Sequence, residues 1–169
     1  RVLFRSEQHA AVAVPEDEDR VTVYSSTQTP HYVHRALTKV LDLEPSRIRV
    51  VSCSNGGGFG GKEDLSVQGH AALAAFLLNK PVRIALTREE SICMHPKRHP
   101  LTMEIELGCD SKGKFTFVKS DIIGDTGAYA SVGMKVLERA AGHATGAYQV
   151  DAVEVRSRAV YTNNIPCGA

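Results

Sequence analysis

The eight residues that decide the fold are Gly56-Gly57-Gly58-Phe59-Gly60-Gly61-Lys62-Glu63. Five of them are glycine, which loses more conformational entropy on folding than any other residue, so a tight turn or a close backbone approach must require them. Residues 47–52 alternate as a strand before this glycine loop, and residues 62–78 have the length and apolar character of a helix after it. The pattern therefore predicts a strand, a glycine loop and a helix that begins where the loop ends.

The segments around the loop predict an α+β fold, a mixed sheet with helices packed on one side. Before the loop, residues 21–24 form a strand, and a helix begins after Thr29 with Pro30 in its first turn and ends near Asp42. After the loop, Glu63 and Asp64 occupy the first helical turn, where the macrodipole favours acids. The remaining elements are a strand at residues 81–86, a hairpin with one wet face at residues 101–123, a short helix at residues 137–143 and a strand at residues 153–161.

The composition excludes several functional classes. With 20 basic and 19 acidic side chains, the formal charge of +1 gives no electrostatic reason to expect nucleic acid or an anionic membrane as a partner. The longest apolar run, residues 71–78, is far shorter than the ~20 residues of a membrane-spanning helix. The four cysteines form no Cys-x-x-Cys pair, so we expect neither a zinc ribbon nor an iron–sulfur centre, and free thiols point to the cytoplasm.

Three general interpretations of the glycine loop compete. Positions 56, 58 and 61 satisfy the Gly-x-Gly-x-x-Gly pattern of dinucleotide-binding folds, but the next strand ends in Thr87-Arg88 rather than in an acid that could hold a ribose. Residues 56–62 also match the start of a P-loop, but Glu63 stands where Ser or Thr would bind magnesium and its carboxylate would repel the phosphates, so a P-loop is excluded. A purely structural turn between a strand and a helix stays open.

The complete string at residues 56–63 resembles the molybdopterin-contacting loop of the xanthine dehydrogenase and aldehyde oxidase family of molybdenum hydroxylases. Three further segments resemble family segments in order and spacing: Ser26-Thr27-Gln28, Leu137-Glu138-Arg139-Ala140 and Thr162-Asn163-Asn164-Ile165-Pro166. The resemblance begins near Glu7 and covers nearly the whole chain. It implies that residues 7–169 are part of a molybdenum-cofactor-binding domain of the family's α+β type, truncated at both ends. Residues 1–6 are expected to be a non-native leader.

The resemblance implies that Gln28, Gly58, Phe59 and Gly60 bind the cofactor, which is molybdenum–molybdopterin with its cytosine dinucleotide form left open. Gln28 and Phe59 would form the molybdenum environment, Gln28 through its side-chain amide and Phe59, with Gly60, through backbone N–H groups. Glycine suits such a place because bare backbone can approach a ligand closely. From the residues alone, Gln28 could instead satisfy turn amides at a strand end, and Phe59 could be a core aromatic.

The resemblance also implies that Glu63 and Arg139 bind the substrate, a purine such as xanthine or hypoxanthine or a similar N-heterocycle. A carboxylate can accept from ring N–H groups, while a guanidinium offsets negative charge that develops on an oxygen or ring nitrogen. The alternatives are that Glu63 stabilises a helix start and that Arg139 is a surface cation. Lys62 and Asp64 are interpreted as helix-end charges.

The implied reaction is hydroxylation with water as the oxygen source. It needs a glutamate base that the family carries later in its sequence, so no catalytic residue is assigned in this chain and the fragment alone is expected to be inactive. The implied partners are the remaining molybdenum-domain segments and the iron–sulfur (2Fe-2S) and flavin (FAD) domains or subunits. The alternatives are an aldehyde, nicotinate or aromatic-thioester oxidoreductase of the same family, or a non-catalytic α+β module that keeps the glycine loop as a structural turn.

Overall fold

The computed structural model describes residues 7–96 and 98–168, which divide after Pro96 into two compact units. The expected leader at residues 1–6 lies outside the described residues. Helices and strands both occur in each unit, so the predicted α+β class is confirmed. Within the described ranges, no helix combines the length and the apolar character needed to cross a bilayer.

The first unit is a four-stranded sheet with its two longest helices on one face. The strands are β1 Ala10–Glu16, β2 Arg20–Ser25, β3 Ile48–Ser52 and β4 Val82–Ala85, and the helices are α1 Pro30–Leu41, α2 Gln68–Leu78 and α3 Arg88–Met94. The sheet order is β3-β2-β1-β4. The β2–β3 pair is parallel, whereas β1 is antiparallel to both of its neighbours.

The core of the first unit forms between this sheet and helices α1 and α2. On α1, Val33, Leu37 and Leu41 repeat every four residues, which places them on one face of the helix. The small alanines of α2 let that helix pack closely against β1 and β2. The buried apolar residues are Ala11, Ala13, Val21, Val23, Val33, Leu37, Leu41, Ile48, Val67, Ala71, Ala72 and Ala75.

One end of the first sheet collects four chain segments. Strands β2 and β3 run parallel with Ser25 opposite Ser52, so both strands end there. Strand β1 runs the other way and pairs Ala10 with Ala85, so β1 begins at this end and β4 finishes at it. The segments at residues 7–9, 26–29, 53–67 and 86–87 therefore leave or enter the sheet at the same end.

The second unit is a three-stranded sheet with one helix. It contains β5 Leu101–Cys109, β6 Phe115–Gly127, α4 Gly133–Gly142 and β7 Ala152–Tyr161, in the sheet order β5-β6-β7. The β5–β6 pair is antiparallel and the β6–β7 pair is parallel. Helix α4 packs on the sheet through buried Leu137, and a Cβ on Gly124 would lie only 2.7 Å from the Leu137 Cδ2 atom.

The predicted helix at residues 62–78 is wrong in its first part, because α2 begins only at Gln68. The backbone carbonyl of Lys62 accepts hydrogen bonds from the Gln28 amide at 3.0 Å and from Thr27 Oγ1 at 3.2 Å. The carbonyl of Glu63 accepts from Thr29 Oγ1 at 2.5 Å. Because these carbonyls form hydrogen bonds with the segment after β2, they do not bond within a helix. Residues 62–67 are therefore not helical, and Glu63 does not lie in a first helical turn.

The predicted hairpin is present, but its β5 strand is exposed on both faces rather than on one. Alternation along β5 places Glu104 and Glu106 on one face and the apolar Met103, Ile105 and Leu107 on the other. The charged face is exposed to solvent, as the sequence predicts. The apolar face is also exposed, because the α4 helix covers the sheet near Gly124 and not along the whole strand.

We expect Leu37→Ala to lower the free energy of unfolding of the chain by about 2–5 kcal/mol, because Leu37 is fully buried and its truncation leaves a cavity between α1 and the sheet. Urea unfolding followed by circular dichroism measures the change. Leu77→Ala is the matched control, since Leu77 is 71% exposed on α2 and should change the free energy little. Equal losses in the two variants would contradict the assigned core.

Candidate functional site

Gln28 is locked to the end of the glycine loop by its backbone and its side chain. Its backbone amide donates to the Lys62 carbonyl, and its Oε1 atom accepts from the Gly60 amide at 3.1 Å and from the Lys62 amide at 3.3 Å. Because two N–H donors require the amide oxygen, the orientation of this side chain is set by the loop. Gln28 is exposed, and its Nε2 group is the end that can donate to a bound acceptor.

Gly58 is glycine because the Gln28 side chain fills the place of a Cβ. A Cβ at this position would lie 2.1 Å from Gln28 Oε1 and 2.4 Å from Gln28 Cδ. Non-bonded atoms do not approach each other this closely, so any side chain at position 58 must displace the Gln28 amide. Gln28 and Gly58, which were each predicted to bind the cofactor, are therefore in direct contact.

Phe59 stands out from the loop in a strained backbone conformation. Its φ angle of 52° lies in the left-handed region, which costs a residue with a Cβ roughly 1–2 kcal/mol. Its side chain is 72% exposed, so the alternative of a core aromatic is wrong. Strain of this kind persists where surrounding contacts impose it, and it is typical of ligand-binding loops.

Lys62 is buried and charged, which corrects its interpretation as a helix-end charge. Its side chain is only 2% exposed, and its Nζ atom lies 2.6 Å from Glu7 Oε1. The same ammonium donates to Ser26 Oγ at 3.1 Å and to Asn55 Oδ1 at 3.3 Å. The Glu7 carboxylate also accepts from the Gly56 amide, at 3.0 and 3.1 Å to its two oxygens. The side chain of Lys62 thus connects the segment before β1 to both ends of the glycine loop.

The surroundings of Glu7 hold its carboxyl group in the ionised form. Partial burial by itself raises the pKa, but hydrogen bonds from Lys62, from Ser26 and from backbone amides including that of Gly56 outweigh it and lower the pKa to about 2. The charged form is therefore the one that the folded structure selects.

Glu63 and Arg139 belong to different units and are described separately. Glu63 is half-buried in the turn between the glycine loop and α2, so its alternative role at a helix start is wrong. Arg139 lies exposed on α4 and lines a cavity of about 270 Å³ in the second unit. The same cavity is lined by the basic side chains Arg98, His99 and His143. Joint action of Glu63 and Arg139 on one substrate stays a prediction.

Asp125 holds the segment at residues 162–166 against the end of β6. Its Oδ1 atom accepts from Thr162 Oγ1 and from the Gly127 amide, both at 2.7 Å, and its Oδ2 atom accepts from Asn164 Nδ2 at 2.5 Å. These hydrogen bonds, led by that of Thr162, lower the pKa of the Asp125 carboxyl. Gly127 has no room for a Cβ, which would lie 2.5 Å from the Ile165 carbonyl oxygen.

Sequence reasoning missed Glu7, Asn55, Lys62 and Asp125. Glu7 pairs with Lys62 across 55 positions of the chain, so no local periodicity connects them. The sequence contains no local signal for the burial of Lys62, because lysine is among the residues least often buried in proteins. A partner carboxylate could have been sought at each segment that reaches the same end of the sheet.

We expect Glu7→Gln to flatten the dependence of folding stability on pH. The folded state lowers the Glu7 pKa from 4.5 to about 2, so wild-type stability from this group is present above pH 4.5 and is lost as the pH falls toward 2. Urea unfolding of both proteins across this range measures the slope. Glu18→Gln is the control, because exposed Glu18 pairs with exposed Arg20. Identical slopes for wild type and Glu7→Gln would contradict the assignment.

Known proteins are similar to this chain in sequence and in fold. A model of the molybdopterin cofactor-binding domain matches residues 3–169. The chain is 44% identical over 96% of its length to the nicotinate dehydrogenase large molybdopterin subunit of Eubacterium barkeri. It is 34% identical over 96% of its length to the xanthine dehydrogenase molybdenum-binding subunit of Escherichia coli O157:H7. The chain spans 38% and 22% of these relatives' own lengths.

Among solved structures, the fold matches the aldehyde oxidoreductase of Desulfovibrio gigas with a TM-score of 0.90. The match covers 96% of this chain and 18% of that one at 23% identity, so it concerns the fold alone. The predicted family and its fold are both confirmed by these comparisons. The chain therefore belongs to the molybdopterin cofactor-binding domain family of the molybdenum hydroxylases.

Proposed function

We propose that this chain forms part of the cofactor site of an oxidoreductase that hydroxylates a purine or a similar N-heterocycle, with water as the oxygen source. The observation that carries the proposal is the packing of Gln28 against Gly58, which presents an amide donor beside glycine backbone at one end of a sheet. The proposed cofactor is molybdenum–molybdopterin, which supplies the oxygen-transfer and two-electron chemistry when it is bound.

The residues at this end of the sheet fit such a cofactor. Gln28 Oε1 is occupied by the loop amides, which leaves Nε2 to donate to an oxygen of the group. The loop backbone around Gly57 and Gly58 has no Cβ, so a ligand can approach it closely. Phe59 is exposed and held by the loop, so its ring can exclude water from one side of the group. Each of these roles belongs to a residue of this chain.

We infer that Glu63 and Arg139 orient the substrate. The Glu63 carboxylate follows the glycine loop by two positions and can accept a hydrogen bond from a ring N–H group. The Arg139 guanidinium can donate to an exocyclic oxygen and offset the negative charge that hydroxylation develops there. The general base and the iron–sulfur and flavin centres that accept the electrons are proposed to lie outside these residues. The proposed location of the protein is the cytoplasm.

A carboxylated heterocycle such as nicotinate is the second candidate substrate. The described residues that line the cavity beside Arg139 include no acidic side chain, and they are two arginines, two histidines and the apolar Leu101, Val136 and Ala140. The two arginines favour a carboxylate over a neutral purine, because arginine pairs with carboxylate oxygens in a bidentate geometry. The identity to a nicotinate dehydrogenase subunit supports the same candidate.

We expect Gly58→Ala in the complete protein to lower the molybdenum content by about tenfold, because the new Cβ displaces Gln28 and its amide donor. Elemental analysis of purified protein by plasma mass spectrometry measures the metal. Gly142→Ala is the matched control, since a Cβ there meets no atom within 4 Å. A full molybdenum content in Gly58→Ala would sink the assigned cofactor contact, and a wild-type protein that binds no molybdenum would favour a non-catalytic module.

We expect Glu63→Gln and Arg139→Met each to lower kcat/KM about 10-fold or more, because each removes a charge-assisted hydrogen bond worth about 1.5–3 kcal/mol. Steady-state assays of the complete enzyme with xanthine, hypoxanthine and nicotinate and an artificial electron acceptor measure the effect. Glu138→Gln is the control, because exposed Glu138 on the same helix pairs with exposed Lys135. Loss in Arg139→Met confined to nicotinate would favour the carboxylated substrate, and unchanged kinetics in both variants would contradict the substrate roles.

A further inference from the structure

Four side chains close the base of the glycine loop, and we refer to Glu7, Ser26, Asn55 and Lys62 together as the clasp. Its centre is the ammonium of Lys62, which contacts all three of the others at 2.6 to 3.3 Å. Ser26 Oγ also donates to Glu7 Oε1 at 2.5 Å. The clasp therefore joins the segments that precede β1, follow β2 and follow β3.

The clasp holds the loop at its two ends. At the start of the loop, Asn55 Oδ1 accepts from Lys62 Nζ and from the Gly57 amide at 3.2 Å, and Glu7 accepts from the Gly56 amide. At its end, the backbone of Lys62 exchanges hydrogen bonds with Gln28 through both its amide and its carbonyl. Lys62 thus ties the clasp with its side chain and Gln28 with its backbone.

Stability alone does not account for a charge buried at this place. Burying the Lys62 ammonium costs free energy that its attraction to the Glu7 carboxylate, which is 37% exposed, offsets only in part, so such a pair stabilises a fold little more than apolar side chains do. Such a pair does impose direction, because each charge requires donors or acceptors at fixed angles. In this structure the ion pair fixes the two ends of a loop whose glycines would otherwise allow many backbone conformations.

We propose that the clasp is a positioning device for the cofactor site, in which Lys62 and Glu7 set the loop geometry that aims the Gln28 amide. The clasp acts through Gln28 and the loop backbone rather than by touching the cofactor. This inference rests on the proposed cofactor contact of Gln28. It assigns to Lys62, Glu7 and Asn55 a role in positioning the groups around the bound molybdenum as well as a role in folding.

The test compares variants of the complete molybdenum-binding protein that separate charge burial from loop geometry. Lys62→Met leaves Glu7 without its cation and should lower the thermal unfolding midpoint. The double variant Glu7→Gln with Lys62→Met removes both charges, so the midpoint should recover while the ties to the loop ends stay weakened. Asn55→Ala removes one loop tie at an exposed position and leaves the ion pair in place. Arg20→Met with Glu18→Gln is the control, an exposed ion pair of the same unit.

Two measurements follow each variant besides its unfolding midpoint, namely the molybdenum content and the electron paramagnetic resonance spectrum of the Mo(V) state. We expect the double variant and Asn55→Ala to keep a near wild-type midpoint, to lose molybdenum by about threefold or more, and to show a shifted spectrum. The control pair should change neither measurement. A double variant and an Asn55→Ala variant with wild-type midpoint, metal content and spectrum would overturn the inference.

Gln28→Leu distinguishes failure of this inference from failure of the proposed function. If Gln28→Leu alters the molybdenum content and the spectrum while the clasp variants do not, only the clasp inference is overturned. If Gln28→Leu also leaves both unchanged, the proposed cofactor contact fails and the clasp inference fails with it. Changes in Gln28→Leu that the clasp variants reproduce support the clasp as the device that aims Gln28.

Discussion

The parallel pairing of β2 with β3 is the constraint on which the candidate site depends. Because the two strands end together at Ser25 and Ser52, the segments that follow them emerge side by side. Gln28 therefore lies within hydrogen-bonding distance of a loop more than thirty positions later in the chain. An antiparallel arrangement would have sent the two segments to opposite ends of the sheet, and no glycine loop could then have met Gln28.

Different constraints explain different glycines of the loop. The Gln28 side chain leaves no room for a Cβ at Gly58. Gly57 and Gly60 instead adopt positive φ angles of 134° and 84°. The neighbouring Phe59 adopts a left-handed conformation although it has a Cβ. The loop thus concentrates conformational cost at one end of the sheet, and the hydrogen bonds of Gln28 and Lys62 hold it there.

The ion pairs of the two units differ in the exposure of their cations. The Lys62 side chain is 2% exposed, so its ammonium depends on hydrogen bonds to the surrounding residues, although the Glu7 carboxylate that pairs with it is 37% exposed. The Arg158–Asp121 pair of the second sheet is close, at 2.8 Å, but its side chains are half exposed and solvent weakens the attraction. At Asp125, three directed hydrogen bonds rather than an ion pair hold residues 162–166 in place.

The sequence by itself determined the α+β class, the place of the glycine loop and the family, because strand alternation, helical spacing and the string at residues 56–63 are local patterns. It also located both ends of α1, where a proline starts the helix and Asp42 takes a left-handed conformation after it. Only the tertiary structure decided where α2 begins, because carbonyls that would have bonded within the helix are taken by Thr27, Gln28 and Thr29. It alone showed the clasp as well, since Glu7 and Lys62 are distant in the chain and meet through strand pairing, which no local pattern encodes.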